Sequence, residues 1–519
     1  MLRSIARTRI PAVSKPYSLP APVGGWNVRD ALANMDENDA IILENMFPTP
    51  SSVIVRYGYT SFFASISGQV QSLITWNGPS SEKLFAAAGT ILIDVTAGGT
   101  ASNTGTAVTG LTNVKFQSTN FTNPGGTNYA MAVNGADKLI KFDGSNWTTS
   151  TATCTGGFST SSFIYLNVFK NRVYGVEKDS LRARYFETGA VAGTVRSVDL
   201  SGFATRGGSL VWMATWTLDA GSGVDDYAVF GSSEGEVFVF SGTDPDSAST
   251  FAMKGRWQLG APLGNRPVTR FAGDLLIATV DGVVPLSREL ISSRTQPKVR
   301  LTDKIDGAMS TAATAYKNNF GWEMLFYPEG EMLLLNVPVS VGSNQEQYAM
   351  NTITGSWGQF SGVGANCWTI WQDQPYFGGN GFVGRFWNGL SDNNAVINWD
   401  AQQAFSYFGS RGVLKHFKEA RPIFQTNGTP STAIGLNVDY DTTTPTGTLS
   451  FAPTTYAVWD TAVWDAGIWG GGLSLSANWQ GIAGLGVCAA MHLTGQSSGI
   501  SVEWMATDFV FERGGMGHG

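Results

Sequence analysis

The stretch from Val268 to Leu286 limits what this chain can fold into. Val268 to Phe271 is apolar-rich, Gly273-Asp274 turns, Leu275 to Val280 runs extended, Asp281-Gly282 turns, and Val283 to Leu286 returns. Asp-Gly between apolar runs is a strong hairpin signal, because both central positions of a type I′ turn need positive φ. The middle run, Leu275-Leu276-Ile277-Ala278, is apolar at every position instead of alternating. A strand of that kind is covered on both faces.

The same meander recurs. It runs from Phe163 to Phe169, turns at Lys170-Asn171, continues through Arg172 to Val176, turns at Asp179-Ser180 and returns through Leu181 to Phe186. It recurs from Cys367 to Trp387, with turns at Gln372-Asp373 and Gly379-Asn380-Gly381, and less regular copies begin near Val70, Val114, Ser209 and Gly321. The starts are spaced by roughly 44, 49, 46, 59, 53 and 46 residues, close to the 40–50-residue period of four-stranded propeller blades. Each blade of a propeller is sandwiched between neighbours, which accounts for strands apolar on both faces. A pair of stacked sandwiches is the all-β alternative, but its strands would alternate more strictly. The expected fold is therefore all-β, a β-propeller of six to seven blades.

The expected divisions are an N-terminal arm and platform segment over 1–60, the propeller over 61–390, and a C-terminal β-domain over 391–519. The one substantial helix expected, Leu301 to Tyr316, has Thr302 or Asp303 near its start and Ile305, Met309 and Ala312 on one face. After about residue 390 the chain becomes rich in Asn, Thr and Gly, with alternating strands around Ile434, Leu436, Val438 and Tyr440 and around Val502, Trp504, Phe509 and Phe511. The opening segment before residue 60 is a candidate to join this β-domain.

Charge narrows the function. Only 14% of the 519 residues are charged, which for so large a chain implies a surface that is partly covered. Lys and Arg total 33 against 40 Asp and Glu, a net −7, the wrong sign for gripping duplex DNA through its phosphates. Cys154, Cys367 and Cys488 are odd in number and far apart, as in a chain made in a reducing compartment. Met1 to Tyr17 carries Arg3, Arg7, Arg9 and Lys15 but no apolar secretory core, so it reads as a loose terminus or an arm docking on a neighbouring subunit. No run approaches the ~20 apolar residues that span a bilayer, so an integral membrane protein is not expected. Synthesis in the cytoplasm follows.

Reaction chemistry is hard to assemble from this sequence. The three histidines, His416, His492 and His518, all lie outside the propeller, so a Ser-His-Asp or Cys-His relay within it lacks its base. No zinc spacing and no phosphate-loop motif occurs. Carboxylates cluster at Asp225-Asp226, at Glu234 with Glu236, and at Asp244 with Asp246. A glycosidase needs two such groups facing one another across a cleft. Here they fall in hairpin tips, where Asp and Glu ordinarily bind a turn, and Asp244-Pro245-Asp246 lacks the calcium-loop spacing. No catalytic, cofactor or metal residue is expected, and the chain reads as non-enzymatic.

Tryptophans recur every five residues in Tyr456-Ala-Val-Trp459-Asp-Thr-Ala-Val-Trp464-Asp-Ala-Gly-Ile-Trp469, matching neither helical nor strand periodicity. Such rings pack a looped core or anchor a contact surface, and both readings stand. Trp459, Trp464 and Trp469 are the candidate interface residues.

Several segments together carry a family likeness. They are Gly24-Gly25-Trp26-Asn27 with Arg29-Asp30, Leu32-Ala33-Asn34-Met35, Asp39-Ala40, Leu43, Asn45, Phe47-Pro48 and Arg56-Tyr57-Gly58-Tyr59. Val224 to Phe230, Ser233 to Glu236, Asp281 to Leu286 and Asn351 to Trp357 belong with them. In these segments, up to about residue 440, the sequence resembles the tail-nozzle and packaged-DNA stabilisation proteins of short-tailed bacteriophages. The resemblance implies a virion tail subunit assembled in the host cytoplasm. It also implies a hexameric ring below the portal and adaptor (head-tail connector), with a tail needle or plug at its tip and docked fibres or spikes. Double-stranded DNA would pass transiently, without sequence-specific binding. Six chains of −7 carry −42, and an acidic lumen would repel phosphates so that DNA slides. The alternative reading is a tail-associated glycan-binding or glycan-cleaving propeller that touches the host envelope, which would need an aromatic pocket beside paired carboxylates.

Overall fold

Short apolar runs joined by two-residue turns pair with their nearest neighbours first, and in this chain that rule produces a series of antiparallel meanders. The computed structural model describes residues 14–100, 106–154, 157–219, 224–247, 249–291, 300–342, 344–449 and 473–516. Two units emerge: one from 1–56, 353–359 and 390–519, the other from 57–352 and 360–389.

The second unit is the β-propeller. Among the described residues seven sheets succeed one another along it, numbered here as blades one to seven. Their innermost strands are Val70–Asn77, Gln117–Thr122, Phe163–Phe169, Leu210–Asp219, Val268–Phe271, Glu323–Tyr327 and Cys367–Trp371. Blade five has three strands, the other two being Asp274–Thr279 and Gly282–Pro285. Blade seven is completed by a strand from the start of the unit: Tyr59–Ala64 pairs antiparallel with Val383–Phe386. The ring thus closes by hydrogen bonds between its two ends. On the inner side, Val70 N donates to Gly379 O at 3.0 Å.

The run Leu275 to Ala278 is buried on both faces, at most 2% exposed at any position. Each Leu or Ile so placed contributes about 1.5–3 kcal/mol of transfer free energy. Two-residue turns set the register. Lys170-Asn171 and Gln372-Asp373 have positive φ at both positions, and so does Ala272-Gly273, where the turn expected at Gly273-Asp274 falls one residue earlier because Phe271 pairs with Asp274. At Asp281-Gly282 the expected type I′ turn does not form. Thr279 pairs with Gly282, so the turn lies at Val280-Asp281 and only Gly282 takes positive φ, 120°. The helix expected over Leu301 to Tyr316 begins later, as a 3-10 turn over Asp303–Ile305 followed by an α-helix over Asp306–Tyr316. Thr302 does not cap it, because its Oγ1 accepts instead from Val283 N at 3.1 Å. The buried face does include Ile305, Met309 and Ala312. A second, six-residue helix, Leu286–Ile291, was not foreseen in the sequence.

The first unit is also β. Its long strands Val413–Thr426 and Val502–Met516 pair antiparallel, flanked by Lys15–Pro20 and Gln480–Gly486. A second sheet contains Asp39–Glu44, Ile397–Gln403, Ala489–Ser497 and Ser431–Val438. Side chains from residues 24–56 help hold this unit together. Asn27 Nδ2 donates to Asp39 and Asp30, at 2.7 and 2.9 Å. Arg56 forms a buried two-pronged pair with Asp392, at 2.8 and 2.6 Å, while its Nε donates to Asn45 Oδ1 at 2.8 Å. Gly25 has φ 81°, and a Cβ there would lie 2.7 Å from the backbone N and O of Trp357. Among the described residues no helix is long and apolar enough to cross a membrane.

Candidate functional site

Seven innermost strands surround a hub, and their side chains decide whether it is a passage or a closed core. Polar side chains tie blade to blade. Asn120 Nδ2 donates to Thr75 O at 3.1 Å, Gln117 Nε2 to Leu166 O at 3.1 Å, and Asn167 Nδ2 to Thr215 Oγ1 at 2.9 Å. The Gln117 and Asn167 bonds are partly buried, and the Asn120 bond is exposed.

Arg266, just ahead of blade five, reaches across the hub. Its Nη1 pairs with Glu323 Oε2 of blade six at 3.0 Å. Its Nη2 donates to Ser72 Oγ of blade one at 2.7 Å and to Phe116 O at the entry to blade two. Glu323 Oε2 in turn accepts from Trp368 N of blade seven at 2.9 Å. Burial opposes the charge of Arg266, yet the Glu323 carboxylate, with smaller contributions from Cys367 and Tyr165, outweighs it and raises the pKa above the ordinary value. Nearby, burial pushes the Tyr165 hydroxyl and the Cys367 thiol each up to about 12. One guanidinium therefore ties blades one, two and six across the hub.

Two cavities adjoin this hub. One, of about 410 Å³, is lined by Gln117 to Asn120, Tyr165 to Val168 and Arg270 among others. The other, of about 340 Å³, is lined by Trp216, Arg270, Phe271, Leu275 and Phe326 with the turn between them. Phe271 and Phe326 meet edge to face with centroids 4.9 Å apart. Arg270 and Leu275 belong to both cavities.

Among the carboxylates singled out in the sequence, Asp226, Glu236 and Asp246 are bonded within the fold, whereas the Glu234 side chain is exposed. Asp226 accepts from Lys170 Nζ and Thr217 Oγ1, both at 2.9 Å; the Asp225 side chain lies outside the described residues. Glu236 accepts from Thr205 N at 3.0 Å, Thr205 Oγ1 at 2.7 Å and Arg206 N at 3.1 Å. Burial alone would raise its pKa, but these bonds outweigh it and hold the carboxyl below its ordinary value. Asp246 binds Arg196 Nη1 at 2.6 Å and accepts from the Tyr185 hydroxyl. His492 is buried, with Nε2 2.8 Å from Asp400 Oδ1 and Nδ1 3.1 Å from Thr443 O, whereas His416 is exposed on its strand. The three cysteines are free. No group of three or more His, Cys, Asp or Glu is placed to hold a metal among the described residues. Trp459, Trp464, Trp469 and His518 lie outside the described residues. Arg266 and Arg270 were missed in the sequence. The available signal was a charged residue beside or within the innermost strand of a blade otherwise apolar on both faces.

The strand pairing defines the class: an all-β protein built around a β-propeller. No family model matches the chain, and no curated protein matches it. Among solved structures it is similar to BBS1N in complex with ARL6DN, at 10% identity over 65% of this chain and 99% of that one, with a TM-score of 0.40. It is also similar to Chaetomium thermophilum Raptor, at 11% identity over 64% of this chain and 29% of that one, TM-score 0.38. Saccharomyces cerevisiae Sqt1 matches at 11% over 63% and 98% of the two chains, TM-score 0.38.

Proposed function

We propose that this chain is a non-enzymatic structural subunit of a short-tailed bacteriophage tail nozzle. In this reading several copies, six by family resemblance, assemble in the host cytoplasm and surround the path of DNA below the adaptor. They support the plug and the fibres or spikes. The observation that carries the non-enzymatic part is that Glu236, Asp246 and His492, the groups a reaction would need, are each committed to bonds that hold the fold. The nozzle part comes from the likeness in segments such as Gly24-Gly25-Trp26-Asn27 and Arg56-Tyr57-Gly58-Tyr59. Because Arg266 ties the propeller hub, the DNA path in this reading lies along the axis of the assembled ring and not through any one propeller.

Light scattering and electron microscopy of the purified chain, alone and with its adaptor, test this. Six-fold rings with the adaptor are expected, and a chain that stays monomeric in both conditions would overturn it. Trp464→Ala is expected to leave a folded monomer that no longer assembles; an unfolded monomer refutes the interface role of Trp459, Trp464 and Trp469. The glycan reading keeps one favourable observation, the aromatic wall of Trp216, Phe271 and Phe326. It predicts retention on immobilised host glycans that is lost on substitution of Trp216.

A further inference from the structure

We infer that the 340 Å³ cavity between blades four, five and six is a binding site for an aromatic or branched aliphatic group that carries a carboxylate. The inference does not depend on the nozzle reading. The volume lies within the range of small-ligand sites, which combine apolar walls with a few convergent polar groups. The walls are Phe271, Phe326, Leu275 and the indole of Trp216. The turn Ala272-Gly273, at φ 47° and 81°, sets part of the rim.

What selects the ligand is the balance of donors and acceptors. The candidate acceptors in the lining are engaged. Both carboxylate oxygens of Asp274 accept from Ser287, Thr215 Oγ1 is shared between Asn167 and Val168, and Thr217 Oγ1 donates to Asp226. One donor group is not engaged: the Arg270 side chain is exposed and makes no hydrogen bond or ion pair among the described residues, whereas the unpartnered Nε1 of Trp216 is sealed within the wall. Asp226 feels the Arg270 charge, but its oxygens are already bonded to Lys170 and Thr217. A guanidinium without an acceptor, beside an apolar wall, calls for an anion attached to an apolar body. A neutral sugar, whose hydroxyls also need acceptors, fits this lining poorly. The cavity of about 390 Å³ beside Trp399 is lined by Glu44 and Asp400 with no cation and does not select an anion, whereas here the one lining carboxylate, Asp274, is bonded to Ser287 and Arg270 supplies a cation.

The test uses the full chain and the tripeptide Gly-Gly-Phe as free acid and as carboxamide, by calorimetry and saturation-transfer NMR. The acid is expected to bind at least about tenfold more tightly than the amide, as a charge-assisted contact implies. Arg270→Gln, at an exposed position, is expected to fold normally and erase that difference while leaving amide binding unchanged. Phe271→Ala is expected to weaken acid and amide alike. 3-Phenylpropionate separates the sources: binding as tight as the tripeptide marks a free acid, and weaker binding marks the end of a protein chain. Equal affinity for acid and amide, an acid preference that survives in Arg270→Gln, or tighter binding of maltose than of the acid would overturn the proposal.

Discussion

Replacing Arg266 by methionine keeps an apolar stem of similar reach and removes the charge that ties the hub. The bonds lost run to Glu323 Oε2, Ser72 Oγ, Gln71 O and Phe116 O. The Arg266 and Glu323 side chains are 16% and 15% exposed, so the pair is largely desolvated. Breaking such a pair from one side costs about 3–5 kcal/mol, because the remaining charge is stranded. Glu323 retains its bond from Trp368 N, which points to the lower end, about 3 kcal/mol. At ~2 °C per kcal/mol, appropriate to a large domain, the propeller transition should fall by about 6 °C. The coupling is tested by adding Glu323→Gln. In the Arg266→Met background it removes the stranded charge and should cost at least about 1 kcal/mol less than in the native chain. Calorimetry and urea unfolding give both values. A loss under about 1 kcal/mol from Arg266→Met, with additive behaviour in the double variant, would refute the view of Arg266 as the tie across the ring.

Glu236→Gln should cost about 1–2 kcal/mol near pH 7, since it weakens three bonds to a charged acceptor. The folded pKa of Glu236 lies below the unfolded value of about 4.3. Its contribution is therefore complete above that pH and fades as pH falls through the folded pKa, so urea midpoints between pH 5 and pH 3 should drop less steeply in the variant than in the native chain. Gly25→Ala should unfold or strongly destabilise the first unit, by more than about 2 kcal/mol, because the new Cβ meets the Trp357 backbone at a positive φ. Thermal melting of the purified variant checks this, and a native-like melt would refute it.

The blades were legible because burial on two faces leaves a local mark. Val70, Phe163, Val268 and Cys367, expected to open repeats, do begin innermost strands. What stayed hidden is non-local. Tyr59–Ala64 closes blade seven across more than 300 residues, and no pattern within those six residues announces its partner. The same holds for the Arg56–Asp392 pair. The shifted turn at Val280-Asp281 has a different cause: Asp-Gly favours a type I′ turn, but Gly282 is drawn into pairing with Thr279 and keeps only one positive φ. Arg266 and Arg270 were invisible as a pair, because periodicity marks the strands of blade five and says nothing of what lies across a ring.

A closed hub changes what the charge of a nozzle subunit has to accomplish. In the nozzle reading DNA cannot run through a hub spanned by one guanidinium, so the lumen is walled by surfaces that face away from the propeller axis. Net charge then matters less than the charge of the particular strands on that wall. Outer strands differ in this respect: Trp147–Thr149 of blade two has no charged residue, whereas Phe251–Gln258 of blade four carries Lys254 and Arg256. Arg256 is partly offset by Glu236 at 3.8 Å, but Lys254 is not matched by any acid on its own strand. A wall that lets DNA slide excludes unbalanced cations, since each phosphate neutralised adds affinity and releases counterions. A ring that turned the outer strand of blade four toward the axis would hold DNA by a salt-sensitive grip, and the lubricated channel would have to be abandoned.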